Sequence, residues 1–143
     1  MKVIIAPEQI PPASDVFLAG GISNCPDWQT EMIEALKHTD LTLINPRREF
    51  YTTETSAKEQ IKWEYDALRT VTTISFWFPE ETLCPITLYE LGVFSQKTDV
   101  KLVVGVHPNY ARKLDVVEQL KWARPEVEVV ESIPALVEKL LLF

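Results

Sequence analysis

The chain has 143 residues, 46% of them hydrophobic, and a formal net charge of −7. That length and apolar content suit one domain (1–143) with a packed core and exclude an intrinsically disordered chain. The acidic balance argues against a general nucleic-acid binder, which carries a basic patch, and Arg47-Arg48 is the one adjacent basic pair in a distinctive setting.

No apolar run approaches membrane-spanning length, and MKVIIAP is too short for a signal peptide, so no membrane association and a cytoplasmic location are expected. Cys25 and Cys84 make neither a disulfide framework nor a zinc site, and His38 and His107 have no ligand-like spacing. No metal and no cofactor are expected.

In chain order, Lys2 to Ala6 is a short β-type run suited to an extra edge strand, and the proline-bearing stretch to Ser14 is a connection. Asp15 to Gly20 is a nearly continuous apolar run, as expected of a strand covered on both faces, and it stops at Gly20-Gly21. A helix follows over Asp27 to His38, with Met32, Ala35 and Leu36 inward. Leu41 to Ile44 is a second strand, ending at Asn45-Pro46-Arg47-Arg48. Glu49 to Thr55 reads as a polar loop. Ser56 to Glu59 fits a capping box opening a helix to Arg69. The apolar stripe of that helix is Ala57, Ile61 and Leu68, and it carries Glu64 inward. Thr72 to Phe78 is a β-branched and aromatic strand.

Pro85 then suits the first position of a helix within Thr82 to Lys97. Ile86, Glu90, Val93 and Phe94 fall on one helical face, so a carboxylate travels inward with three apolar side chains. A buried, unpaired carboxylate is costly and its pKa rises. The plainer reading is a Glu at the stripe margin that reaches water. Gly92 tips the balance, because a mid-helix glycine costs about 1 kcal/mol against alanine and suggests close packing just beyond Glu90. Lys101 to Val106 is a fourth core strand, Ala111 to Ala123 a helix, Val127 to Val130 a fifth strand, and Ile133 to Leu142 a terminal helix.

Regular strand–helix alternation predicts an α/β fold: a doubly wound, five-stranded parallel sheet of flavodoxin-like order 2-1-3-4-5 with helices on both faces. Ligands of such sheets bind beyond the carboxyl ends of the strands, where strand order reverses. Gly20-Gly21 would let a ligand approach the backbone there; a simple tight turn is the equal alternative. Glu90, in the second turn of its helix, tilts toward the same edge, and Glu64 reaches it from the side. A structural partnership of Glu64 with Arg47, Arg48 or Lys62 is the competing reading. The chain has no GxGxxG, no Walker loop and no nucleophile elbow. Two carboxylates with Phe17, Trp28, Trp77 and Phe78 suit cleavage of a glycosidic bond next to an aromatic base.

The segments VFLAGGISNCPDWQ, LINPRREF, QIKWEYDAL, ISFWFPEET and PITLYELGVF, in this order, resemble the nucleoside 2-deoxyribosyltransferase-like family. The resemblance implies Glu90 as the nucleophile that forms a covalent glycosyl-enzyme. It implies an acidic residue 26 positions earlier, Glu64, that handles the base, and it places Phe17, Gly20 and Gly21 in the pocket. Asn45, Arg47, Trp77 and Phe78 complete the expected substrate-binding set. The chain departs from the family in carrying Phe17 for a tyrosine, Glu64 for an aspartate, and Cys84 for an aspartate six residues before the nucleophile. The expectation is an enzyme that cleaves a (2′-deoxy)nucleoside and transfers the sugar to another base. Its expected partners are nucleosides, free nucleobases and further copies of itself in a homo-oligomer, with no nucleic-acid polymer. The alternatives are a hydrolase of deoxynucleoside 5′-monophosphates, with Arg47 or Arg48 on the phosphate; a non-catalytic nucleotide-binding module; and, more distantly, a flavodoxin-type flavin protein.

Overall fold

The β-branched and aromatic runs pair into one all-parallel sheet, in a computed structural model that describes residues 1–48 and 54–142. Its strands are β1 (Lys2–Ile5), β2 (Ser14–Gly20), β3 (Thr42–Asn45), β4 (Val71–Phe78) and β5 (Lys101–Val106), in the order β1-β3-β2-β4-β5. The central pair is in register from Ser14 opposite Val71 to Gly20 opposite Trp77. The expected α/β, flavodoxin-like arrangement is therefore present. The N-terminal strand forms one edge, next to β3. At the other edge the expected strand Val127 to Val130 is reduced to one bridge, Val130 with Gly105. Two ladder bonds hold it: Val106 N–H to the Val130 carbonyl, and Val130 N–H to the Val104 carbonyl. Glu128 within it and Glu126 just before it are charged, and a short charged edge of this kind does not invite further pairing.

Side chains alternate between the two faces of a strand, and this fixes the layers. Val16, Leu18, Leu43, Trp77 and Val103 pack against helices α1 (Trp28–Ala35) and α5 (Ile133–Leu141). Phe17, Ala19, Ile44, Ile74, Phe76, Phe78 and Val104 pack on the other face, against α2 (Glu54–Leu68), α3 (Pro85–Ser95) and α4 (Lys113–Ala123). Asp27 caps α1 by accepting the Thr30 N–H, and Ser132 caps α5 by accepting that of Ala135. Such caps satisfy N–H groups that have no partner inside the helix.

Several boundaries and faces differ from the sequence expectation. The loop expected over Glu49 to Thr55 lies, for 49–53, outside the described residues. Helix α2 is already formed at Glu54, so Ser56 sits inside its first turn and is not its cap. On α1 the inward residues are Trp28, Gln29 and Met32, while Ala35 is exposed. On α2 the inward face runs through Gln60, Glu64, Ala67 and Leu68, and Ile61 is exposed. On α3 it runs through Thr87, Glu90, Leu91 and Phe94, and Ile86 is exposed. Both faces are turned by about one residue: Gln60, bonded to Arg48 and the Pro46 carbonyl, and Thr87, buried at the pocket wall, take the places expected for an isoleucine. Gly92 corrects the packing argument: no atom lies within 4 Å of where its Cβ would be, and it borders a groove between α3 and α4. Nothing in the structure requires a glycine there.

Arg124 closes the end of α3. It is 6% exposed and donates from its guanidinium to the carbonyls of Phe94, Lys97 and Val100, with Glu126 on its Nε. Carbonyls at a helix end have no intrahelical donor, and leaving several of them buried without one is costly. Arg124→Met should lower the unfolding free energy by about 3 kcal/mol. Urea unfolding would show this as a lower midpoint at unchanged slope; an unchanged midpoint would show the carbonyls to be indifferent to the guanidinium.

Candidate active site

From β2 the chain crosses to β3 on one side and later to β4 on the other, so the order reverses between β2 and β4. The carboxyl ends of these two strands carry Gly20-Gly21 and Phe78-Pro79. At Gly20 the glycine is obligatory in space: a Cβ would come to 2.4 Å from both a ring carbon of Trp28 and the carbonyl oxygen of Trp77. The turn that follows is held through one atom, the Gly21 carbonyl. It accepts from Trp28 Nε1 at 2.9 Å, Gln29 Nε2 at 3.2 Å and Arg47 Nη2 at 3.5 Å. Arg47 also donates to Gln29 Oε1 and the Pro26 carbonyl, and lies 3.4 Å from Asp27 Oδ1. Residues 21–27 are thus clamped to α1 and to the end of β3.

A pocket of about 410 Å³ opens at this edge, lined by Gly20, Gly21, Ile22 and Ser23 on one side and by Thr82, Cys84, Pro85, Ile86, Thr87 and Glu90 on the other. Helix α3 begins beside it. Cys84 adopts a left-handed backbone, φ 51°, which a non-glycine residue rarely takes, and this turns the chain into Pro85 at the helix start. Tyr110 fixes the preceding loop by donating to the Leu83 carbonyl at 2.6 Å. Both thiols lie against Gly21, about 3 Å from where its Cβ would stand. Burial pushes the Cys84 thiol up to about 12 and raises that of Cys25, so both are neutral.

Glu90 forms part of the pocket wall and is 8% exposed. Desolvation, and then the charge of Glu64, push its pKa to about 8. Glu64 enters from α2, half-buried, and its pKa is raised to about 7. Desolvation dominates, opposed by a hydrogen bond from Gln60 and the positive charge of Arg48. A second, smaller cavity of about 150 Å³ touches Glu90 from the other side, between Ile61, Tyr65, Ile86 and Tyr89.

Of the residues picked from sequence, Glu90, Gly20 and Gly21 meet in one pocket, with Glu64 in electrostatic reach of Glu90. Phe17 and Phe78 are fully buried in the core beneath α3, together with Cys84, Leu91 and Phe94. Trp77 points to the opposite face of the sheet, toward a different cleft with Trp28 and His107. Asn45 is buried, and its Oδ1 accepts the backbone N–H of Arg47. Arg47 is occupied as the clamp of the glycine turn. Sequence reasoning passed over Thr87, one turn before Glu90, and Gln60, one turn before Glu64. The signal for both was the i, i+3 and i, i+4 spacing to a carboxylate. Among the described residues no three His, Cys, Asp or Glu side chains are grouped to hold a metal ion, and no helix is long and apolar enough to cross a membrane.

The two carboxyls set a pH dependence of stability. An ordinary glutamate titrates at 4.5, while Glu64 and Glu90 in the fold keep their protons to about 7 and about 8. Below 4.5 both states of the chain are protonated and the pair carries no penalty. As pH rises from there to about 8 the unfolded chain ionises first, so stability falls; above that range the fall levels off. Glu90→Gln should remove most of this slope and make the protein more stable than the unaltered chain at about pH 8.5, by on the order of a few kcal/mol. At about pH 4.5 the two should differ little. Urea unfolding across pH measures this, and parallel curves for the two proteins would refute it.

The family model described as nucleoside 2-deoxyribosyltransferase like matches residues 13–110. No curated protein matches the chain. The matched segment runs from β2 through the turn after β5 and contains Gly20, Gly21, Glu64, Cys84, Thr87 and Glu90. It covers well over half of the chain, which therefore belongs to the nucleoside 2-deoxyribosyltransferase-like family.

Proposed function

We propose that the protein is a nucleoside 2′-deoxyribosyltransferase that works through a glycosyl ester on Glu90. The observation that carries this reading is the pairing of two carboxyls at one pocket: Glu90 in its wall, and Glu64 close enough to raise its pKa. The one-proton pair reacts in the form in which the proton has passed from Glu90, the more basic carboxyl, to Glu64, and ionised Glu90 then attacks C1′ of the sugar. The bond from C1′ to the base nitrogen breaks, and the base leaves with the bonding pair and takes up a proton from the Glu64 carboxyl. A second base then attacks C1′, the ester bond to Glu90 breaks, and the incoming base gives its proton to Glu64. Over the cycle both carboxyls return to their starting states, and no cofactor is consumed.

The transfer of a neutral nucleoside is favoured over hydrolysis of a 5′-monophosphate by the charge of the site. No Lys or Arg lines the pocket among the described residues, and the 49–53 segment, EFYTT, contains none. The guanidinium of Arg47 is engaged by Gln29, Asp27 and two carbonyls. The proposal includes a second copy of the chain over the exposed apolar side chains Ile61, Tyr65, Ile86 and Tyr89, which surround the smaller cavity at Glu90.

The test is a chromatographic assay of 2′-deoxyinosine with adenine. 2′-Deoxyadenosine should form only when adenine is added, and Glu90→Ala should lower turnover about a thousandfold or more with the fold intact. Hypoxanthine release with no exchange product would make the protein a hydrolase. Consumption of 5′-monophosphates alone would assign the rival substrate, and binding without turnover would leave a nucleotide-binding module. Because the pair must hold one proton, the rate should follow a bell in pH with its maximum between about 7 and 8. A rate that still climbs well above that window would break the one-proton requirement.

A further inference from the structure

One uncharged side chain ties together the groups around Glu64. Gln60 is 2% exposed and lies one helical turn before Glu64 on α2. Its Nε2 donates to the Pro46 carbonyl at 2.8 Å, its Oε1 accepts from Arg48 Nε at 2.6 Å, and its amide acts as a donor toward the Glu64 carboxylate one turn on, which lowers the pKa of that group. A primary amide offers two N–H donors and a carbonyl acceptor, and here both kinds are used. A buried amide of this kind adds no charge to the site; what it supplies is direction.

The partners come from three places. Pro46 is backbone at the exit of β3, Arg48 follows it, and Glu64 is on α2. Among the described residues the charged groups that act on Glu64 are Glu90 on α3 and Arg48; Lys62 is turned outward and paired with Asp66. Arg48 Nε is bonded to the amide oxygen, and the positive charge of Arg48 acts on the Glu64 carboxylate.

We propose that Gln60 is the positioning residue for Glu64, holding that carboxylate in register with Glu90 through its bonds to Pro46 and Arg48. This rests on the reading of Glu64 as the group that exchanges a proton with the base. An aliphatic side chain at position 60 would fill the volume and leave the Pro46 carbonyl, the Arg48 Nε and the Glu64 carboxylate each short of a bond. Glu64 would then sample other rotamers and lose a donor that favours its charged form.

The experiment follows the Glu64 carboxyl directly, by NMR of protein carrying carboxyl-labelled glutamate, with Glu64→Gln and Glu90→Gln assigning the two signals. In Gln60→Leu the Glu64 midpoint should rise by about one pH unit. A midpoint that stays or falls in the folded variant overturns the proposal. A second measurement does not depend on that variant folding. In the unaltered protein the side-chain amide signals of Gln60 should move with pH at the Glu64 midpoint, and in Glu64→Gln they should stop doing so. Amide signals indifferent to that titration also overturn it. In the transfer assay Gln60→Leu should lower kcat on the order of 10-fold to 100-fold with a smaller change in KM, as expected of a misplaced proton-transfer group. The two readings fail separately. Both NMR signatures without turnover in the unaltered protein would remove the transfer reading and keep Gln60. Turnover without the signatures would do the reverse.

Discussion

Keeping two carboxyls out of water and in each other's field is the constraint around which this fold is arranged. Glu90 is held there by its helix: Leu91 and Phe94 on the same face pack into the core with Phe76, Phe78 and Val104, so α3 cannot turn the carboxyl outward without unpacking them. The pair lowers the stability of the folded chain at neutral pH, and the rest of the molecule has to offset that. Functional sites commonly carry such a cost, because a group that reacts must not be fully satisfied at rest.

Part of the offset comes from the turn after β2. The Gly21 carbonyl gathers an indole, an amide and a guanidinium, and Asp27 serves both as the cap of α1 and as a neighbour of Arg47. One loop thereby fixes the start of α1, the end of β3 and one wall of the pocket. The same geometry changes what Arg47 can do. From sequence it is a cation at a strand end, suited to an anionic substrate. In the fold its Nε and Nη2 donate to Gln29 and to the Gly21 and Pro26 carbonyls, so it holds the turn that forms one wall of the pocket.

The architecture was legible because strands and helices alternate with clear periods, and because Gly20-Gly21, Pro85 and Glu90 are each unusual for the element that carries them. The helix faces were less so. Ile61 and Ile86 looked inward by hydrophobicity, yet Gln60 and Thr87 hold those positions. An amide with partners waiting inside outweighs an isoleucine that a second copy could cover, and no partner is visible in a linear pattern. Trp77 and Phe78 are both buried aromatics at one strand end, but a strand sends neighbours to opposite faces, so they cannot serve one pocket. Gly92 misled because a helical glycine is compatible with close packing and with open space alike. The edge strand is reduced to one bridge at Val130, because its backbone meets β5 only there, and a run of β-type residues does not reveal how much of it will find a partner.

Cys84 bears on how this chain reconciles its departures from the family it belongs to. It stands six residues before Glu90, where the resemblance places an aspartate, and its sulfur borders the same pocket. A third carboxylate there would add repulsion to a Glu90 already raised to about 8 by burial and by Glu64, and would hold its proton to still higher pH. The thiol, neutral up to about 12, adds no charge. Among the described residues Glu64 is the negative group that acts on Glu90, and Gln60 and Arg48 in turn oppose the upward shift of Glu64. With a neutral thiol at position 84, Glu64 and Glu90, raised to about 7 and about 8, share a single proton between those two values.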